Sequence, residues 1–252
     1  MTVALPYARI VAALGGALVL TPAFSAERFV GGAYGTDSGT LLYREVHVAD
    51  RDQHVILYQC PDGRIMARKI LRNDGSLSQP GFEFMDGRTG RGEGVHSEGG
   101  RRVVYVREPA GKTSTHPVPS EPQGVIDAGF DPYVRSHWAE LGKGPATVPF
   151  LIADRGRFYP VKVTASEMPG GLRRITMRLD AWWGFATPTI SVMYTEATKQ
   201  LRRYEGPGTV RDAKGKPISV RIEFLPSDRQ ADVPADAIAS ALALPLDGRC
   251  AD

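Results

Sequence analysis

Val55-Ile56-Leu57-Tyr58-Gln59-Cys60-Pro61-Asp62-Gly63-Arg64-Ile65-Met66-Ala67-Arg68-Lys69-Ile70 is the stretch that decides how this chain folds. Val55, Leu57 and Gln59 alternate with Ile56 and Tyr58, and strand character resumes from Ile65 to Ile70. Between the two runs lies Asp62-Gly63, where glycine accepts the positive φ of a tight hairpin turn. The segment therefore predicts two antiparallel strands joined by a short turn.

The same period of two runs through most of the chain. Phe150-Leu151-Ile152 and Phe158, Val161 and Val163 predict a second hairpin through Asp154-Arg155-Gly156. Ile175, Met177 and Leu179 point one way, and Arg174, Thr176 and Arg178 the other. Ile190, Val192 and Tyr194 lead into a Thr195-Glu196-Ala197-Thr198 turn with a return strand over Leu201 to Glu205. Val220, Ile222 and Phe224 alternate with Ser219, Arg221 and Glu223 after a polar turn at Asp212-Ala213-Lys214-Gly215-Lys216. Two segments read as helices. Asp131 as N-cap and Pro132 at the first position open one that Gly142 stops, with Val134, Trp138 and Leu141 on one face. Asp232 caps a short Ala-rich helix from Pro234 to Leu244. The expectation is a mainly β, antiparallel fold of roughly nine or ten strands with two short helices.

The N-terminus carries an address. Arg9 precedes an apolar run from Ile10 to Leu20, and Thr21-Pro22-Ala23-Phe24-Ser25-Ala26 adds a helix breaker and small residues, the order of a secretory signal peptide. Eleven apolar residues rise only about 16 Å as a helix, roughly half a bilayer core, so the run predicts no membrane span. Ala23-x-Ser25 places cleavage after Ser25, with Ala26 as the alternative. The organisation expected is a signal peptide over 1–25 and a single β domain over 26–252, with the Pro/Ser/Thr-rich stretch 109–122 as a loop or a linker. Localisation is expected to be periplasmic or secreted.

Composition narrows the partners. Lys and Arg number 31 against 28 Asp and Glu, nearly balanced. The pairs Arg101-Arg102, Arg173-Arg174 and Arg202-Arg203 each lie within or beside an alternating apolar pattern, so they predict no nucleic-acid surface. The two cysteines, Cys60 and Cys250, read either as a disulfide or as unpaired thiols, Cys250 being followed only by Ala251 and Asp252. In an oxidising compartment the pair is the expectation.

No catalytic signature is found. None of His47, His54, His96, His116 and His137 has metal-ligand spacing to another, so no metal and no cofactor is expected. His47 and His54, beside Asp50, Arg51 and Asp52, read as members of a solvated turn, and His137 as a surface residue on the helix edge. Gly90-Arg91-Gly92-Glu93-Gly94 lacks the lysine and helix of a phosphate loop and reads as a turn or bulge. Asp50 with Asp52, and Glu83 with Asp86, are carboxylate pairs of a kind common on polar surfaces. Trp182-Trp183-Gly184-Phe185 is more unusual. Adjacent tryptophans in a strand project to opposite faces, so Trp182, Trp183 and Phe185 read either as core at a bend or as an aromatic rim beside an apolar opening.

Residues 190–225 resemble the closing strands of the LolA/LolB-like half-barrel superfamily of exported Gram-negative proteins, which includes periplasmic lipoprotein carriers. The likeness lies in Tyr194-Thr195-Glu196-Ala197-Thr198-Lys199-Gln200-Leu201-Arg202-Arg203-Tyr204-Glu205-Gly206 and Val220-Arg221-Ile222-Glu223-Phe224. The Tyr58 to Arg64 hairpin is similarly shared with uncharacterised exported proteobacterial proteins. The resemblance implies a curved antiparallel sheet, a half-barrel, that wraps one or two short helices and lines an apolar cavity, with the Val134–Trp138–Leu141 face against its concave side. Together with the leader and the aromatic rim, the resemblance leads to the expectation of a non-catalytic envelope protein binding an apolar or amphiphilic ligand such as a lipid or acyl chain. Trp138, Trp182, Trp183 and Phe185 are the candidate contacts on this sequence's own reading, none of them carried over from the family. The other readings are an envelope hydrolase whose acidic residues meet only in the fold, and a scaffold that pairs an exposed strand edge with an envelope protein partner.

Overall fold

The computed structural model describes Met1 and residues 26–109, 111–180, 188–246 and 248–250. The strands are β1 (Ala26–Gly35), β2 (Leu41–Ala49), β3 (Gln53–Gln59), β4 (Ile65–Ser76), β5 (Gln79–Asp86), β6 (Gly92–Glu98), β7 (Arg101–Arg107) and β8 (Thr113–Pro117), then β9 (Ala146–Ile152), β10 (Arg157–Met168), β11 (Leu172–Leu179), β12 (Ile190–Thr195), β13 (Leu201–Arg211) and β14 (Pro217–Val233). Helices α1 (Phe130–Ser136) and α2 (Trp138–Leu141) lie between β8 and β9, and α3 (Ala237–Ala243) follows β14. Strand accounts for 58% of the chain and helix for 11%, so the fold is mainly β.

All fourteen strands belong to one curved, unclosed antiparallel sheet in the order β8-β7-β6-β5-β4-β3-β2-β1-β14-β13-β12-β11-β10-β9. Two meanders, β1–β8 and β9–β14, are thus joined at mid-sheet, where the first strand pairs with the last: Gly32 lies opposite Glu223 and Gly35 opposite Val220.

The anticipated hairpins are present. Cys60 N–H donates to the Arg64 carbonyl at 2.8 Å, with Gly63 at φ 96°. Gly156, at φ 62°, ends the turn between β9 and β10. The strand count exceeds the expectation: β5 and β6 interleave glycine and charge with few apolar residues, β7 sets its apolar run between arginines, and β8 is Thr113-Ser114-Thr115-His116-Pro117 with no apolar alternation. Phe82, Phe84, Val95, Val104 and Val106 are nevertheless buried, all from this region. The stretch 109–122 is also more structured than a loop or linker, since it contains the edge strand β8.

Val134, Trp138 and Leu141 pack on Val148, Val161, Val163, Ile175 and Tyr194 of the second meander's inner face. The single helix expected there is interrupted at His137 (φ −104°, ψ 25°), and its N-cap is Gly129 rather than Asp131. Asp131 pairs instead with Arg135 one turn on, at 3.0 Å. The C-terminal helix also begins later than anticipated. Asp232 lies in β14, Asp236 is the N-cap, and α3 covers the outer face of β2 and β3 over Val46, Val48, Val55 and Leu57. One helical pair therefore sits inside the curve and one helix outside it.

The sheet edges approach each other without pairing. Val125 N–H donates to the Pro149 carbonyl and accepts from Leu151 through its own carbonyl, a parallel bridge along β9, while Ile126 N–H donates to Ser78 at the β4–β5 turn. The segment entering α1 thus straps one meander to the other across the open side. Gly129 sits so close to Ser78 that a Cβ would lie 2.2 Å from its carbonyl oxygen. Cys60 and Cys250 form a disulfide with Cα atoms 5.4 Å apart, fastening the C-terminal tail to the β3–β4 hairpin. Among the described residues no helix is long and apolar enough to cross a membrane.

Candidate functional site

The period of two in β2 turns Tyr43, Glu45 and His47 to the inner face, opposite Tyr58 and Ile56 of β3, and β4 places Lys69 across from Ile56. On the other flank β1 sets Gly31 opposite Glu45 and Phe29 opposite His47. Gly31 is there for space. A Cβ would come within 2.5 Å of the Phe224 ring and 2.7 Å of Ile222, so any larger residue would push β14 away. The result is a polar patch on an otherwise apolar wall.

Burial sets its chemistry. Glu45 is 8% exposed, His47 5% and Lys69 4%. Glu45 Oε2 lies 3.3 Å from His47 Nε2, and His47 Nδ1 lies 2.9 Å from His54 Nε2, so the three side chains form a continuous hydrogen-bonded row. The His47 ring stacks on Phe29 at 4.3 Å between centroids. Desolvation pushes the Glu45 carboxyl up to about 7, against the smaller pull of Lys69. It also drives His47 down to about 3, reinforced by Arg229, and holds His54 well below the ordinary imidazole range. Below about pH 7 the row is therefore a chain of neutral groups and not an ion pair. With either imidazole tautomer every link has one donor and one acceptor.

Lys69 is different. Burial alone would lower its pKa, but Asp127 outweighs that and raises it, so the ammonium stays charged. Nζ donates to Asp127 Oδ1 and Oδ2 at 2.8 and 2.9 Å and to Thr209 Oγ1 at 3.4 Å. Asp127 opens the 3-10 turn before α1 at φ 48°, a left-handed conformation that a non-glycine residue holds at some cost. The Lys69 bond and the Ala128 N–H, 2.7 Å from Asp127 Oδ1, hold it there.

Above this patch is a cavity of about 310 Å³. Its floor is Glu45, His47, Tyr58, Lys69 and Asp127, and its walls are Phe130, Phe150, Met177, Ile190, Val192, Tyr194, Leu201, Ile222 and Phe224. The walls come from both meanders and from α1, so the site exists only once both halves are in place. A second space of about 190 Å³ adjoins it, sharing Asp127 and Phe150 and reaching Glu93 and Asp154. Arg91, from the glycine-rich run read as a turn, is buried there against Glu93 at 2.7 Å.

Of the residues singled out in the sequence, Trp182, Trp183 and Phe185 lie outside the described residues. Trp138 is core, apart from the cavity lining: its ring meets Tyr194 edge-on, carries the Arg173 guanidinium at 4.3 Å, and donates from Nε1 to Glu196. The solvated-turn reading of His47 and His54 is corrected, because their strands' inner faces are covered by the opposite meander. Asp50 does serve a turn, its Oδ1 accepting from the amides of Asp52 and Gln53, and Asp86 is bound to Arg88 at 2.6 Å. Among the described residues no cluster of His, Cys, Asp and Glu is arranged to hold a metal ion. No protein-family model matches the chain, and no curated protein is significantly similar to it.

Proposed function

We propose that this chain is an exported envelope protein, non-catalytic, that takes an apolar or amphiphilic ligand such as a lipid or acyl chain into the cavity between its two meanders. The observation that carries the reading is the cavity itself, with apolar walls, a small polar floor and a volume in the range of small-molecule sites. The unclosed curved sheet with α1 and α2 inside agrees with the half-barrel that the LolA/LolB resemblance implies. Periplasmic or secreted localisation is supported by the leader pattern and by the disulfide, a bond of oxidising compartments. Cleavage after Ser25 would leave all of the described strand β1, Ala26–Gly35, in the mature chain.

Solvent extraction and lipid mass spectrometry of natively purified protein, with titration by the uncharged fluorophore N-phenylnaphthylamine, tests the ligand reading. Stoichiometric lipid or saturable fluorophore uptake, abolished by Val192→Trp, is expected. A protein that is empty and takes up no fluorophore overturns it. N-terminal sequencing of periplasmic protein should start at Ala26 or Glu27, and an intact Met1 in the cytoplasm ends the export reading.

One observation favours a second reading, an envelope hydrolase. A carboxyl titrating near 7 beside an imidazole in a cleft is the pairing that general acid–base chemistry uses. Ester or glycoside turnover lost in Glu45→Gln would establish it in place of the carrier.

A further inference from the structure

One carboxyl on the cavity floor is matched by no cation among the described residues. The floor holds two carboxyls, Glu45 and Asp127, and one ammonium, Lys69, which is spent on Asp127 through both oxygens. Asp131, also at the lining, is matched by Arg135. His47 is neutral and supplies no charge. Among the described residues no Lys or Arg lies within 4.0 Å of the Glu45 carboxylate, whose only polar neighbour at hydrogen-bond distance is His47, on Oε2. A carboxyl about nine-tenths buried, lining a cavity and lacking a cation, is held protonated by burial in the empty protein and is free to pair with a complementary cationic ligand.

We infer that the ligand is a single-chain amphiphile whose head is a protonated amine, seated at Glu45 with its chain against the Met177, Val192 and Phe224 walls. This rests on the cavity-binding reading above. The ammonium donates to Glu45 as Lys69 donates to Asp127, so the floor becomes two matched ion pairs. A carboxylate head gains no ion pair in the same position, because Lys69 is already spent on Asp127, so its charge would lie unmatched in a buried site. Every group facing Glu45 agrees with this assignment. His47 and, beyond it, His54 are neutral; Tyr58 from β3 and Tyr204 from β13 are held protonated by burial; Lys69 and Asp127 are mutually satisfied. Because burial keeps the Glu45 carboxyl protonated up to about 7, binding at lower pH transfers its proton to the buffer as the ammonium arrives. One proton leaves per ligand bound.

Isothermal titration of the intact mature protein with decylammonium, decanol and decanoate, each below its aggregation concentration, decides the matter. At pH 6 in two buffers of different ionisation enthalpy, decylammonium should bind about tenfold or more tighter than decanoate. Its apparent enthalpy should report proton release. Glu45→Gln should abolish the proton release and bring the three ligands to within about threefold of one another. If Glu45→Gln does not fold, the ranking and proton release in the unaltered protein still decide. Decanoate binding as tightly as decylammonium overturns the head-group assignment while leaving the cavity reading standing. Binding of none of the three overturns both.

Discussion

Replacing Lys69 by Met keeps most of the side-chain volume and removes only the charge, so it isolates the ion pair from the packing around it. Lys69 is almost completely buried, and its two short bonds to Asp127 connect β4 to the strap that carries α1. Removing one partner of a buried pair costs about 3–5 kcal/mol. The Asp127 side chain keeps 21% of its surface in contact with solvent and retains the Ala128 amide, which places the expected loss at the lower end, about 3 kcal/mol. For a domain of this size that is a fall in Tm of roughly 6–12 °C. Urea unfolding of the single variants Lys69→Met and Asp127→Asn and of the double variant measures it, Asn being a residue that tolerates the left-handed φ at 127. The double variant should be less destabilised than the sum of the singles by about 2 kcal/mol. A loss below about 1 kcal/mol for Lys69→Met, or strict additivity, would refute the claim that this pair anchors the strap.

Burial holds Glu45 protonated up to about 7 while the unfolded chain releases that proton near 4.5, so the folded state binds the extra proton between those values and this group lowers stability as pH rises through them. Glu45→Gln should therefore gain roughly 3 kcal/mol on the unaltered protein between about pH 4 and pH 8 in urea melts. His47, neutral down to about 3 when folded but protonated below about 6.5 when unfolded, gives both proteins an opposing rise between those values, and a pH-independent difference between them would refute the Glu45 assignment. Cys250→Ser opens a loop of sequence separation 190 and should cost roughly 2–5 kcal/mol by urea titration, where a loss under about 1 kcal/mol would show that the tail is not fastened by the bond. Trp138→Ala removes a ring packed on Tyr194 and Arg173, with an expected loss of about 3–5 kcal/mol, and a change under about 0.5 kcal/mol would place that helix on the surface.

The class of the fold was legible wherever alternation and turn chemistry agreed, as at Asp62-Gly63 and Asp154-Arg155-Gly156. It was illegible where glycine, charge or polar residues take the place of apolar alternation, which hid β5 to β8. The site was obscured for a related reason. In β2 the residues that look like a buried face, Val46 and Val48, are indeed buried, but under α3 on the outside. His47 reads with the polar Asp50 turn and Glu45 draws no reading, although the opposite meander covers both. Folding the chain back at the Asp50 turn would have aligned Glu45-x-His47 with His54-x-Ile56-x-Tyr58 and brought the two histidines together. The contact of Lys69 with Asp127 offers no such local signal, since it depends on where the strap crosses the sheet. The Trp182-Trp183-Gly184-Phe185 run, the more unusual local feature of the sequence, falls outside the described residues.

The pairing of β1 with β14 also governs how the molecule is made. Every other junction in the sheet joins neighbours along the chain, but this one joins the first strand to the last. Contacts of such long sequence separation close slowly, and each meander has a bare edge until they do. The two halves can each zip locally while the seam waits for the final strand, so assembly of the cavity between them and completion of the sheet are one late event. A chain emerging with its N-terminus first can pair β1 with β2 early, but the β14-facing edge of β1 stays bare until the last strand arrives, the kind of exposed edge that invites association with other chains.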